Sequence, residues 1–82
     1  MEKRAYVILR IFDKREEKDL DIPLNISAKQ LVLALNTAYE LGIDVSDGRN
    51  IFLKAENPIV LLKGNKTLEE LGVRDGTVIN VI

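Results

Sequence analysis

Four groups of residues in this 82-residue chain invite a chemical reading. Gly64-Asn65-Lys66-Thr67 shares its last residues with a phosphate-binding loop, which requires G-x-x-x-x-G-K-[ST] between a strand and a helix. Asn65 stands where the second glycine belongs, and only one helical turn is expected to follow, so the stretch reads as a loop glycine and a capping threonine. Glu16-Glu17 and Glu69-Glu70 could form acid/base couples, but no apolar pocket is expected beside either pair to raise a carboxyl pKa, and solvated surface charge is the reading that fits. Ser27 and Ser46 would need an activating base. The chain has no histidine and no cysteine, which removes the commonest general base, the commonest zinc ligand and any thiol nucleophile. No catalytic constellation, metal site or cofactor site emerges, and a non-enzymatic protein is expected.

Charge narrows the partners. Twelve basic and thirteen acidic residues leave a net charge of −1, too small a field to concentrate on a polyanion or an anionic membrane. Nucleic acid is therefore excluded as an expected partner. The opening MEKRAYVILRIFDKREEK has basic residues and an apolar run, but the run is short, alternates with charge and lacks a small-residue cleavage site. Neither a signal peptide nor a membrane span is expected, and the absence of cysteine agrees with an intracellular setting.

The element that must position everything else is Ile26 to Ile43. Ser27 is a good N-cap and Gln30, three residues on, completes a capping box; Ile26 and Leu31 can form the hydrophobic staple across it. Gly42 suits the left-handed position that closes a helix, with Ile43 folding back. At 100° per residue Leu31, Ala34, Leu35, Ala38 and Leu41 fall on one side, with Val32 and Tyr39 at its margin. Lys29, Asn36 and Glu40 lie opposite, together with Leu33, which reads either as an incidental exposed leucine or as part of a second contact or dimer surface.

Short strands surround this helix. Tyr6 to Phe12 alternates, with Val7, Leu9 and Ile11 on one face and Tyr6, Ile8, Arg10 and Phe12 on the other. Asp13 to Lys18 is a charged connection of hairpin size. Leu20, Ile22 and Leu24 form a second strand that Pro23 consigns to a sheet edge. After the helix, Asp47-Gly48 favours a turn, Ile51 to Lys54 a third strand, and Ile59 to Leu62 a short fourth strand beyond Asn57-Pro58. Thr67 to Gly72 reads as one helical turn with Thr67 as cap and Glu70 at the capping-box position. Arg74-Asp75-Gly76 is a turn, and Thr77 to Ile82 a closing strand. One domain over residues 1–82 is expected, of α+β class: a mixed four- to five-stranded sheet packed on one helix, with the first and last strands parallel at its centre.

This order resembles ubiquitin and the β-grasp fold over nearly the whole chain, most specifically in the ending TLEELGVRDGTVINVI. The resemblance implies that Leu68, Leu71, Val73, Ile79 and Val81 face the helix. Size, the DLDIPL strand running directly into the helix, the LVLAL helix and an ending in the last strand are similar to the YukD/EsaB family. Its members are small cytoplasmic proteins associated with type VII (Esx-type) secretion in Gram-positive bacteria. The resemblance implies a cytoplasmic, bacterial, monomeric or weakly dimeric protein that binds a protein partner, such as a secretion-system component, without inserting into the membrane.

Ubiquitin conjugation and sulfur-carrier chemistry act on a flexible C-terminal Gly-Gly, and the sequence ends Asn80-Val81-Ile82. A covalent modifier or carrier is expected only if a tail has been lost. A detached ubiquitin-like domain of a larger membrane or signalling protein is the other alternative. The outer sheet face carries the functional expectation. Phe52 falls where ubiquitin has the central isoleucine of its recognition patch, and Ile82 where its patch valine lies. Phe52, Ile82 and Ile8 are expected to form one apolar patch around Asn80. The competing reading takes these residues as strand formers partly covered by charged neighbours.

Overall fold

The computed structural model describes residues 3–82, which form β1 (Arg4–Ile11), β2 (Glu16–Pro23), α1 (Ala28–Tyr39), a 3-10 turn (Gly48–Asn50), β3 (Phe52–Glu56), β4 (Val60–Lys63) and β5 (Val78–Val81). The five strands make one mixed sheet in the order β2-β1-β5-β3-β4. β5 runs parallel to β1 and antiparallel to β3. The parallel pair needs a long crossover, and α1 lies within it. β2, with Pro23, lies at an edge as its missing N–H requires.

Alternation in β1 buries Ala5, Val7, Leu9 and Ile11 on the helix side. They meet Leu31, Val32 and Leu35 of α1, with Leu53, Leu62, Leu68, Val73 and Ile79, in a single core. Leu71 and Val81 pack against it from a half-buried position. Among the described residues, no helix covers the far face of the sheet.

The helix begins as its cap residues specify. Ser27 Oγ accepts from Gln30 N–H at 3.1 Å, while Gln30 Oε1 accepts from Ser27 N–H at 2.9 Å. The next two donors, Ala28 N–H and Lys29 N–H, bond the carbonyls of Lys66 and Gly64. The Gly64–Thr67 loop thus turns its carbonyls to the helix start as acceptors. Thr67 repeats the same device: its Oγ1 accepts from Glu70 N–H at 3.1 Å and Glu70 Oε1 accepts from Thr67 N–H at 3.0 Å. Ser27 and Thr67 are themselves bridge partners, so the two caps brace one another. Thr67 to Gly72 is a hydrogen-bonded turn closed by Leu71 N–H on Thr67 O, and the 3-10 helix lies instead at Gly48–Asn50.

Two features of α1 differ from the sequence reading. Its buried stripe is Ala28, Leu31, Val32 and Leu35, while Ala34 and Ala38 are exposed. The stripe is rotated because the segment after the helix folds back along its flank and covers the Asn36 side. The helix also ends at Tyr39, with Glu40 rather than Gly42 in the closing left-handed position (φ 52). Gly42 is left-handed too (φ 76) and bends the chain onto the sheet. Lys14 Nζ donates to Tyr39 O at 2.7 Å, placing a cation on the carbonyl end of the helix, where it complements the dipole.

Candidate functional site

The uncovered sheet face is a grid whose register decides which residues meet. Ile8 is level with Val78 on β5, and Val78 with Glu56 on β3. One step along, Arg10, Asn80, Lys54 and Leu61 form a row across β1, β5, β3 and β4. A further step brings Phe12, Ile82, Phe52 and Lys63 together: Phe12 N–H bonds Val81 O at 3.0 Å, and Phe52 is paired with Lys63.

This register divides the expected patch. Phe52 and Ile82 are neighbours, but Ile8 stands four residues back along the strands from the Ile82 level, about 13 Å away. The Arg10–Asn80–Lys54 row lies between them. Ile8 belongs with Tyr6 and Val78 instead, and Phe12, which sequence reasoning left out, takes its place beside Ile82. Alternation alone put Phe12 on the outer face; only the β1–β5 register shows which end of that face it joins.

Exposure differs within the group. Ile82 is 84% exposed, Phe12 is exposed and Phe52 is half-buried. Lys63 Nζ lies 5.8 Å from the centre of the Phe52 ring, within cation–π range. Asn80 is not an exposed member of a patch but is buried, 7% exposed, between two long cationic side chains. Its Oδ1 has no hydrogen-bond partner. Leu33 is half-buried and packs against the core, so it does not stand alone on a solvent-facing helix surface.

Where β5 ends and β3 begins, the sheet opens into a cleft of about 350 Å³. Leu41, Gly42 and Ile43 form one wall; Phe52, Leu53, Lys54, Asn80, Val81 and Ile82 form the other. The first wall is fixed by Asn36, whose Nδ2 donates to Ile43 O at 3.2 Å and whose Oδ1 accepts from Ile43 N–H at 2.9 Å.

Among the described residues, three carboxyl groups are shifted, all downward. Glu70 is held below the ordinary glutamate range by the Thr67 N–H and hydroxyl. The hydroxyl and N–H of Ser46 hold Asp44 down, and the side chain and N–H of Arg49 do the same for Asp47. All three are shifts that keep a carboxylate charged, where a general acid would need the reverse. Among the described residues no group of His, Cys, Asp and Glu could hold a metal ion, and no helix is long and apolar enough to cross a membrane.

A mixed five-stranded sheet wrapped on one helix, with parallel central strands and an open outer face, defines a ubiquitin-like protein. The solution structure of a ubiquitin-like domain from tubulin-binding cofactor B superposes with a TM-score of 0.71 at 23% identity, covering 98% of this chain and 89% of that one. That likeness is one of fold. The chain belongs to the family described as YukD of the WXG100 protein secretion system (Wss), which matches residues 6–81. No curated protein matches it.

Proposed function

We propose that this YukD-family protein is a non-enzymatic docking module of the bacterial cytoplasm, which binds a protein component of the secretion system non-covalently through its outer sheet face. The observation that supports this reading is the Phe12–Ile82–Phe52 row, in which Ile82 and Phe52 line an open cleft and Phe12 stands level with Ile82 on the neighbouring strand. Single exposed apolar residues are ordinary; a contiguous group backed by a concavity is what a partner's anchor residue needs. Covering such a group contributes roughly 25 cal/mol per Å² before the costs of association are subtracted.

A photo-crosslinking residue at position 52, introduced in cells, tests the reading directly. Capture of a secretion-system protein is expected, with strong loss of capture on Ile82→Asp and little change in thermal unfolding. Intact mass of the native protein is expected to show no higher-mass adducts. Capture that survives Ile82→Asp, or unfolding caused by it, overturns the assignment of this face.

A further inference from the structure

The cleft beside Asn80 deepens this reading and rests on it. Asn80 is more than nine-tenths buried at the base of the row, yet its Oδ1 accepts no hydrogen bond. A buried amide oxygen without a partner is unusual, because such atoms are nearly always satisfied. A side-chain amide sets an acceptor oxygen beside a donor NH2, the complement of main-chain N–H and C=O groups. The walls around it are apolar: Ile43 on one side, Leu53, Val81 and Phe52 on the other.

Charge adds a further constraint. Lys54 lines the cleft and forms no ion pair among the described residues; Lys63 stands next to it over the Phe52 ring. No Asp or Glu side chain is among the residues that line the cleft. On the other side of Asn80, Arg10 is paired with Glu17 at 3.3 Å. Unlike a globular surface, an extended segment offers free peptide groups to an amide at the base of a narrow slot.

From these features we infer that the cleft takes an extended peptide segment of the partner, with an apolar side chain between the Ile43 and Val81 walls. A main-chain peptide group of that segment pairs with the Asn80 amide, and an acidic residue meets Lys54 and Lys63. Asn80 turns from its partnerless position toward the ligand, so the unsatisfied group of the free protein becomes a bonded one in the complex.

The probe is the acetylated, amidated pentapeptide Asp-Leu-Val-Leu-Asp, titrated into the isotope-labelled full chain and followed by amide spectra. Three companions accompany it: a series N-methylated at one residue at a time, a peptide with lysines for the aspartates, and the Asn80→Leu protein. Expected are shifts at Ile43, Lys54 and the Asn80 side-chain amide, and about tenfold weaker binding for one member of the methylated series. The lysine peptide is expected to lose binding, and Asn80→Leu to bring the methylated and unmethylated peptides within about twofold of each other. Equal binding by the whole methylated series overturns the role of Asn80. Shifts of the same residues on raising protein concentration without peptide would make a second copy the occupant and overturn the peptide assignment. If no peptide binds while crosslinking from position 52 still depends on Ile82, this inference falls and the docking face stands. If capture ignores Ile82, the docking face itself has failed. Should Asn80→Leu not fold, the methylated series against the unaltered protein decides alone.

Discussion

The Asn36 side chain grips the main chain of Ile43 at both of its polar groups, at 2.9 and 3.2 Å. This one amide joins the end of the helix to the wall of the cleft, and it substitutes for the ladder partners that an irregular segment lacks. The segment Leu41 to Ile43 has no strand to hold it, so its position against β3 and β5 depends on Asn36 and on half-burial of Leu41 and Ile43 against the core.

Asn36→Ala therefore removes the partners of both the N–H and the C=O of Ile43, at part-buried positions. A loss of about 1 to 3 kcal/mol is expected in urea unfolding. Amide hydrogen exchange at Ile43 is expected to accelerate by more than the global loss accounts for, because the cleft wall loosens locally. A uniform change across the chain would show that Asn36 is merely one more stabilising contact.

The rotation of the helix stripe separates two neighbouring positions sharply. Leu35→Ala empties a core site and is expected to cost about 2 to 5 kcal/mol. Ala34→Ser, one residue away on an exposed face, is expected to stay within about 0.5 kcal/mol. Thermal denaturation of the pair distinguishes this stripe from one centred on Ala34 and Ala38.

Register makes a prediction about binding that composition does not. Phe12→Ala is expected to weaken partner capture together with Phe52→Ala, because Phe12 shares the Ile82 row. Ile8→Thr is expected to leave capture intact, since the Arg10–Asn80–Lys54 row separates it from the cleft. Quantified crosslinking yield from position 52 in each variant provides the comparison; sensitivity to Ile8 with indifference to Phe12 would place the contact on the other half of the face.

Acid sensitivity follows from the caps. Glu70 has its folded-state pKa depressed by the Thr67 N–H and hydroxyl, so its contribution is present above the unfolded value and is lost as pH falls through the folded one. Asp44 and Asp47 act in the same direction. Stability is expected to decline as pH drops below about 4.3. Glu70→Gln is expected to be less stable near neutrality and to lose less on acidification. Melting temperatures measured from pH 7 to pH 3 give the two slopes, and parallel slopes would remove Glu70 from the account.

Sequence alone was decisive wherever a few adjacent residues settle the geometry. Ser27 with Gln30, and Thr67 with Glu70, are complete in four residues each, and both boxes form. The inward set Val7, Leu9 and Ile11 follows from a period of two, and Pro23 could only sit where no ladder donor is needed. These features, with the parallel placement of the first and last strands, were enough to specify the ubiquitin-like architecture.

What tertiary structure alone decided is which distant residues stand level with one another. Sliding β5 along β1 by two residues keeps every side chain on its face yet changes its neighbours, so local patterning could not show that Phe12, rather than the expected Ile8, stands beside Ile82. Asn80 reads as a polar residue of a strand, and its burial depends on Arg10 and Lys54 arriving from two other strands. The helix end moved from Gly42 to Glu40, and the stripe turned, because Asn36 found its partner in Ile43 seven residues on. Pairing, covering and capping of this kind are fixed by long-range contacts that no short window of sequence contains, and they are what shaped the cleft.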